Sequence, residues 1–394
     1  MFASRTNWHL EPNRFAAAIN EHRRRGRPLL DLTNSNPTTC GFQYPEERLF
    51  AALNNKRALL YEAESQGLRS AREAIANYYR GRAGFFGAKS SVDPAQIVIT
   101  SGTSEAYSYI FRLLCEAGDE VLVPAPSYPL FEYLADLADV CAAPYPLIYD
   151  QGWQVDLAGL RGALASRSKA VMFAHPNNPT GSFIKREEAH QLGAICATRD
   201  LAIIADEVFL DYADSTEPAR TFACESPALT FTLSGLSKIS LLPQMKLGWI
   251  VVSGPEALVH TAMQRLDLIG DTYLSPSTPG QLALPEMLDM RGNLQAQMRQ
   301  RLCSNLGFLD ALLPKGCPVE RLKREGGWYA VLRVPFTRSD EDLAIKLLET
   351  CDVLVHPGHF FDFSRDGFLV VSLIVGEIEF QEGARRLHDF FLRT

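Results

Sequence analysis

The sequence lacks the features of an exported or membrane-inserted chain. Its 394 residues contain no uninterrupted apolar run of about 18 residues, the length that a membrane-spanning helix requires. The first fifteen residues have no continuous apolar segment of signal-peptide length. None of the eight cysteines belongs to a CxxC pair, so we expect reduced thiols rather than disulfides or a cysteine metal site. These absences predict a cytoplasmic protein.

An excess of positive charge is also lacking. The net charge is −7 and the isoelectric point is about 5.7, which disfavours nucleic acid and anionic membranes as partners. Apolar residues make up 46% and charged residues 22%, as in ordinary globular proteins. The chain is too long for one hydrophobic core of common size, so we expect two structural domains.

Short apolar runs alternate with longer amphipathic stretches in the middle of the chain. The runs lie at residues 96–99, 120–123, 170–173, 201–204 and 249–252. This alternation predicts an α/β fold with a mostly parallel sheet that helices cover on both faces.

A smaller C-terminal α+β domain is predicted by the rest of the pattern. A continuous helical pattern at 280–313 precedes a new alternation at 328–332 and 367–371. We expect a large domain at residues 46–285. The N-terminal arm, 1–45, and residues 286–394 then form the smaller unit.

Polar residues follow the apolar runs, where ligands of parallel sheets gather. The segment TSGTSEA at 100–106 places Gly102 among hydroxyl residues at a helix start, an arrangement that suits a phosphate. Tyr128 lies in PAPSYP, Asn178 in NNPTG and Asp206 in ADEVF. The last segment, SGLSK, ends at Lys238, and burial of such a lysine favours its nucleophilic form.

These segments, in this order and with a cation eight residues after Lys238, resemble the class I/II aminotransferases of the fold-type-I pyridoxal-phosphate family. The resemblance covers nearly the whole chain. It implies pyridoxal phosphate as the cofactor, no metal, and a homodimer with shared active sites. It also implies transfer of an amino group between a small-molecule amine or amino acid and a keto or aldehyde acceptor.

The resemblance also implies residue roles. Lys238 would hold the cofactor as a Schiff base and move a proton, and Asp206 would pair with the ring nitrogen. Asn178 would bind the 3-oxygen of the ring, and Tyr128 would stack on the ring face. Helix capping is the alternative for Asp206, and core packing for Tyr128. The phosphate would be held by Gly102, Thr103, Ser104, Ser237 and Lys246, with Tyr61 contributed by the neighbouring subunit.

The sequence departs from the family pattern around the cofactor. Lys246 stands where relatives have arginine, so the bidentate fork is missing. Gly235 replaces a serine, whose contact is either lost or supplied by Ser234. Phe209 replaces a tyrosine that donates to the 3-oxygen, and this loss should raise the pKa of the lysine–cofactor linkage. Ser35 replaces a small glycine.

The largest departure concerns the substrate. In GFLVVSL at 367–373, Val370 occupies the place of the arginine that clamps the α-carboxylate in relatives. Either Arg333, Asn36 or Arg69 binds that carboxylate, or the substrate lacks one, which we favour. A surface position is the alternative for Arg333. His356, in HPGH, is expected to line the substrate pocket rather than to bind a metal.

The sequence therefore predicts a pyridoxal-phosphate-dependent aminotransferase for a small amine or amino acid, without the usual arginine clamp. A decarboxylase, lyase or cyclase reaction on the same cofactor is the alternative, because fold does not determine reaction type. A non-enzymatic sensor is disfavoured by the presence of Lys238, Asp206 and Asn178 together.

Overall fold

The structure, a computed structural model, describes residues 1–8, 11, 13–87, 91–215 and 218–393. Its strands are β1 (Leu30–Asp31), β2 (Ile97–Thr100), β3 (Glu120–Ala125), β4 (Cys141–Tyr149), β5 (Trp153–Val155), β6 (Ser168–Ala174), β7 (Ala202–Asp206), β8 (Thr230–Gly235), β9 (Gly248–Ser253), β10 (Glu320–Arg321), β11 (Tyr329–Arg333), β12 (Val353–Leu354), β13 (His356–Pro357) and β14 (Phe368–Ser372).

The α-helices are α1 (Arg14–Arg24), α2 (Glu46–Leu53), α3 (Arg69–Tyr79), α4 (Thr103–Leu114), α5 (Leu130–Asp136), α6 (Leu157–Ala163), α7 (Arg186–Arg199), α8 (Leu236–Ile239), α9 (Glu256–Tyr273), α10 (Thr278–Asp289), α11 (Arg291–Leu312), α12 (Asp340–Cys351) and α13 (Glu377–Arg393). Short 3₁₀ helices lie at Ser4–Thr6, Pro37–Thr39, Lys56–Leu59, Pro94–Gln96, Pro243–Met245 and Gly358–Phe361. None of the helices in the described ranges combines the length and the apolar character needed to cross a bilayer.

The large sheet has the strand order β2-β9-β8-β7-β6-β3-β4-β5 within the described residues. Strands β8, β7, β6, β3 and β4 run parallel, whereas β9 is antiparallel to both of its neighbours and β5 is antiparallel to β4. Helices α4, α5 and α9 cover one face, and α3, α6, α7 and α10 cover the other. The predicted fold class, a mostly parallel and doubly covered sheet, is confirmed.

Three strands of the large sheet, β4, β5 and β8, were not predicted. Strand β8 was missed because every second residue is polar, so it has no run of apolar residues. These polar residues, Thr230, Thr232 and Ser234, are fully buried. Strand β4 contains Pro144 and Pro146, and proline within a run argues against a strand. Buried hydroxyl groups are tolerated when they find hydrogen-bond acceptors. The hydroxyl of Thr230 donates to the carbonyl of Ala228 over 3.0 Å.

The prediction of one continuous helix over 280–313 is wrong. The structure has two helices, α10 and α11, in this range. Met290 is both the C-cap of α10 and the N-cap of α11. The apolar pattern continues across this joint because both helices bury side chains, among them Leu284 in α10 and Leu294 in α11.

The smaller sheet has the order β10-β11-β14-β13 and is antiparallel throughout. It packs against α11, α12 and α13 in a separate hydrophobic core. The N-terminal segment joins this unit because β1 pairs in parallel with β12 and α1 packs on α12. This arrangement supports the predicted grouping of 1–45 with 286–394, whose boundaries stay a prediction.

Glu207, directly after β7, is completely buried beneath the large sheet. One carboxylate oxygen accepts a hydrogen bond from the Thr221 hydroxyl at 2.7 Å, and the other accepts from the backbone N–H of Phe222 at 2.6 Å. Burial raises the pKa of Glu207 to about 8 in spite of these bonds. The ionised form of this carboxyl is therefore disfavoured in the folded protein.

Replacing Glu207 by glutamine should flatten the pH dependence of stability. A carboxyl whose folded pKa lies above its unfolded pKa stabilises the protein at low pH, and this contribution is lost as the pH rises to about 8. We expect Glu207→Gln to reduce the decrease in unfolding free energy between about pH 5 and about pH 8, measured by urea unfolding. The exposed Glu349→Gln is the control and should leave the slope unchanged. An unaltered slope in Glu207→Gln would contradict the assignment.

Candidate active site

A cavity of about 230 Å³ lies at the carboxyl ends of β6, β7 and β8, next to the small sheet. It brings together most of the cofactor-binding residues that the sequence predicts. These are Gly102, Thr103, Tyr128, Asn178, Asp206, Ser237 and Lys238. Three positions at which the sequence departs from the family pattern, Ser35, Phe209 and Gly235, also line it.

Lys238 lies on α8, the short helix that follows β8. Its Nζ is 5.0 Å from the centroid of the Trp328 ring and 5.8 Å from that of Phe209. Burial lowers the pKa of Lys238 to about 8, while the nearby charge of Asp206 opposes the shift. The hydroxyl of Tyr212 donates to the carbonyl oxygen of Lys238 at 2.6 Å and anchors its backbone. The backbone of the lysine is therefore anchored, and more of its side chain is neutral near pH 7 than in an ordinary exposed lysine.

Asp206 is the last residue of β7 and is 6% exposed. Its Oδ2 accepts a hydrogen bond from the Tyr107 hydroxyl at 2.9 Å, and its Oδ1 accepts from the backbone N–H of Val208 at 3.1 Å. Burial raises the pKa of Asp206 to about 6, against the effect of these two bonds and of Lys238. The carboxylate is thus fixed in orientation at the cavity wall.

Two adjacent asparagines have different surroundings. The Nδ2 of Asn177 donates to the carbonyl of Pro126 at 3.1 Å and to the hydroxyl of Thr180 at 2.9 Å, which ties two loops together. Asn178 is also buried, but no hydrogen bond joins its side chain to the described residues, whereas in Asn177 only the Oδ1 lacks a partner. A buried amide without partners at a cavity wall is suited to bind a polar ligand.

Tyr128 is 38% exposed and lines the cavity on the side of the small sheet. The backbone N–H of the preceding Ser127 donates to the carbonyl of Phe361 at 2.9 Å, which connects this loop to the small sheet. Burial raises the pKa of Tyr128, and Asp206 adds to the shift. The phenol therefore stays neutral at physiological pH.

Glycines allow the close approach of β8, β9 and the start of α4. A Cβ at Gly248 would lie 2.8 Å from the Cα of Gly102, and a Cβ at Gly235 would lie 2.9 Å from the carbonyl oxygen of Leu247. The serine of relatives does not fit at position 235 without movement of β9. Ser234 does not replace it, because its hydroxyl is buried and donates to the carbonyl of Glu207 at 3.4 Å.

Some predicted cofactor residues lie outside this cavity. Ser104 and Lys246 are exposed, and Lys246 has a left-handed backbone with φ of 50°. Tyr61 is 76% exposed on the surface of the chain. These residues are not among those that line the cavity of the single chain.

The residues predicted to bind the substrate do not line this cavity either. The side chain of Asn36 accepts from the backbone N–H of Thr38 at 3.1 Å and so caps a 3₁₀ helix. Arg333 forms an ion pair with Glu320. Arg69 is exposed on α3 and pairs with Glu73.

His356 and Val370 face each other across β13 and β14. Burial lowers the pKa of His356 to about 4, so its ring is neutral. Val370 is fully buried in a hydrophobic cluster with Val331 and Phe361. Across the described residues, no three histidine, cysteine, aspartate or glutamate side chains are placed to share a metal ion.

Sequence reasoning missed two tyrosines. Tyr107 lies one helical turn after Thr103 on α4, and this spacing could have placed its hydroxyl on the same face as the predicted phosphate site. Tyr329 lines the cavity next to Ser35, and burial raises its pKa to about 12 although the neighbouring Ser35 opposes the shift. Nothing in the local sequence distinguishes Tyr329 from a core residue of β11.

The fold, together with a buried lysine and an aspartate at adjoining strand ends, defines a fold-type-I pyridoxal-phosphate-dependent transferase. Residues 30–386 match the family model described as aminotransferase class I and II, and the chain belongs to this family. Members of the family use pyridoxal phosphate.

Proteins similar to this chain include several aminotransferases. The glutamate-pyruvate aminotransferase AlaA of Haemophilus influenzae is 29% identical over 376 residues, which cover 93% of this chain and 92% of that protein. The alanine aminotransferase of Mycobacterium tuberculosis strain H37Rv is 27% identical over 377 residues, which cover 93% and 86%. A solved alanine aminotransferase from Pyrococcus furiosus has a TM-score of 0.88 at 22% identity, with 100% of both chains covered, which shows the same fold.

The lowered pKa of Lys238 leads to a prediction about loading of the cofactor. Only the neutral amine attacks the cofactor's aldehyde, so covalent capture by the cofactor-free protein should speed up as the pH rises through about 8 and then level off. Stopped-flow absorbance with pyridoxal phosphate measures this rate. Lys238→Ala should show no covalent capture after borohydride treatment. A rate that still climbs steeply near the ordinary lysine pKa of about 10.4 would contradict the shift.

Proposed function

We propose that this aminotransferase acts on a small amine or amino acid without an arginine clamp on an α-carboxylate. The main observation that supports this proposal is which residues line the cavity. Lys238 and Asp206 are the charged residues that line it, and no arginine of the described residues does so. The names of the Haemophilus and Mycobacterium relatives support a small amino donor and a keto-acid acceptor.

The residues present fit pyridoxal phosphate. The side-chain amide of Asn178 makes no hydrogen bond with the described residues, so its Nδ2 is available as a donor. Helix α4 begins at Thr103, and its N-cap Gly102 offers no side-chain cap, so backbone N–H groups remain free for an anion. Lys238 supplies an amine that burial keeps nucleophilic. When bound, the cofactor's ring accepts the electron pair left by a bond broken at the substrate's reacting carbon.

We assign the following roles to the chain's own groups. Asp206, oriented by Tyr107 and the N–H of Val208, would pair with the ring nitrogen and hold a proton there. Lys238 moves the proton at the reacting carbon as general acid and base. Asn178 would donate to the 3-oxygen of the ring through its Nδ2, and Tyr128 would pack on the ring face and exclude water.

The phosphate is assigned to Gly102, Thr103 and Ser237 from within the chain. Tyr61 lies outside the cavity, next to Leu59 and Leu60, and the three are 76%, 89% and 58% exposed. Adjacent exposed apolar residues are typical of a protein interface. We therefore propose a homodimer in which Tyr61 completes the partner's phosphate site, with Ser104 and Lys246 near the same surface. The eight free cysteines support a cytoplasmic location.

The surroundings of Val370 support a substrate without a clamped carboxylate. Val370 packs against Val331, its partner across the two strands, and both belong to an apolar cluster with Trp153. An isopropyl group in such surroundings cannot bind a carboxylate, and an anion placed there would lose its hydration without compensation. The candidates that could replace the arginine, Arg333 and Arg69, already pair with carboxylates elsewhere.

A matched pair of substrates tests this proposal. Alanine and isopropylamine differ in that a methyl group replaces the carboxylate. We expect isopropylamine to convert the bound cofactor with a rate constant within about tenfold of that for alanine, because no bidentate arginine contact is lost. Absorbance of the cofactor follows this half-reaction.

A preference for alanine of about a hundredfold or more would contradict the missing clamp. If no amine from a broad panel converts the cofactor, transamination itself is excluded. Product analysis without a keto acceptor then identifies a decarboxylase, lyase or cyclase reaction.

Restoring the hydroxyl that relatives carry at position 209 should change the bound cofactor. Phe209→Tyr places a donor at the cavity wall, where it stabilises the anionic 3-oxygen of the ring. We expect the pH at which the cofactor's absorbance changes to fall relative to the parent protein. Tyr128→Phe is the comparison, because it removes a hydroxyl over the ring face and should not lower that pH. An unchanged or raised value in Phe209→Tyr would contradict the role assigned to this position.

A further inference from the structure

A second and larger cavity, of about 740 Å³, lies beside the proposed cofactor cavity. It is bounded by β3, β4 and the loop at 362–365 of the small unit. Tyr128 and Phe131 line both cavities. The two spaces are therefore neighbours on the two sides of the same aromatic pair.

The wall of this larger cavity is mainly apolar, and seven of its residues are aromatic. Trp153 and Phe368 are 5% and 7% exposed, and Phe363 stacks on Phe368 with 4.5 Å between the ring centroids. Tyr149 packs edge-on against Trp153 at 5.2 Å. Aromatic rings held in place by each other form a rigid apolar surface, the usual lining of a small-molecule pocket.

The charges that line the cavity balance. Arg333 and Arg365 carry positive charge, and Glu132 and Asp362 carry negative charge. Arg333 is in addition paired with Glu320. The charges of the cavity wall therefore favour neither an acidic nor a basic ligand. An uncharged apolar group of a ligand suits this cavity.

The small sheet connects the two cavities. Tyr329, at the start of β11, lines the cofactor cavity, and Arg333, at its end, lines the larger one. Between them, Val331 pairs with Val370 on β14. Four residues of a strand span roughly 13 Å, so a substituent of about that length reaches from one cavity to the other. Val331 and Val370 are both buried and line neither cavity, so the shared residues Tyr128 and Phe131 mark where the two cavities meet.

We propose that the substrate carries an aromatic or long apolar substituent that extends past Tyr128 into the larger cavity. This inference rests on the proposed aminotransferase function and extends its substrate class beyond small amines. The reacting amine lies near Lys238, and the apolar body occupies the space between Trp153, Phe363 and Phe368. Tyr128 then contacts both the cofactor ring and the substrate.

The test compares substrates of increasing apolar length in the cofactor-loaded enzyme. Propylamine, hexylamine and 4-phenylbutylamine form one series, and alanine and 2-amino-4-phenylbutanoate form a second. Added methylene groups that enter an apolar pocket each raise kcat/KM, by about tenfold or more per group. We therefore expect the long members of a series to exceed the short member at least about tenfold in kcat/KM.

A variant that fills the cavity identifies where the long substituent binds. Ser364 is exposed and lines the larger cavity, so Ser364→Trp should lower the long-to-short ratio of kcat/KM at least about fivefold. Thr337→Trp adds the same ring on an exposed loop outside the cavity and is the matched control. Calorimetric titration with 4-phenylbutan-1-ol, which cannot react, should show binding to the parent protein that Ser364→Trp weakens.

The outcomes separate this inference from the proposed function. Conversion of the cofactor by some amines, with equal ratios in the parent, Ser364→Trp and Thr337→Trp proteins, would overturn the larger cavity as a substrate site and leave transamination intact. A lack of conversion by every amine would overturn the proposed function, while the calorimetric titration still reports whether the cavity binds an apolar molecule. Alcohol binding that Ser364→Trp leaves unchanged contradicts the inference.

Discussion

Burial of two opposite charges at neighbouring strand ends governs this site. The same loss of hydration moves the pKa of Asp206 up to about 6 and that of Lys238 down to about 8. Each ion is costly in the dry cavity unless a complementary charge stands beside it. A cationic ring nitrogen beside the aspartate would relieve one cost, and covalent linkage of the lysine would relieve the other. The architecture around β7 and β8 supplies the rigidity that keeps these groups from reaching water.

Most of the predicted cofactor residues lie around one cavity, because they belong to short segments at or directly after strand ends. Asn178, Asp206 and Lys238 each belong to such a segment, and parallel topology brings strand ends together. Tyr107 was missed although it bonds to Asp206, since their contact spans 99 positions of the chain. The strand β8 was missed because it buries hydroxyl groups, and Lys238 was identified by resemblance to a family instead.

Prediction was weaker for the substrate side. Asn36, Arg333, His356 and Val370 were proposed from their places in a family pattern, but alternation along a strand and local capping decide where a side chain points. Asn36 caps its own helix, and Arg333 lies four residues beyond Tyr329 at the far end of β11. The larger cavity is formed by segments from β3, β4 and the C-terminal loops, which are distant in sequence. No local sequence motif therefore predicts it.

The pairing of β1 with β12 has a mechanical consequence. The N–H of Ser372 in β14 also donates to the carbonyl of Leu32 at 2.7 Å, so the N-terminal segment is bonded to the small unit at two places, once at β12 and once at the small sheet. Ser35 and Tyr329 line one wall of the cofactor cavity. A movement of the small sheet relative to the large sheet would therefore displace both residues together. The opposite wall, with Asp206 and Lys238, stays behind. Opening and closing of the cavity would then change the distance between these two walls while the contact of Ser35 with Tyr329 is preserved.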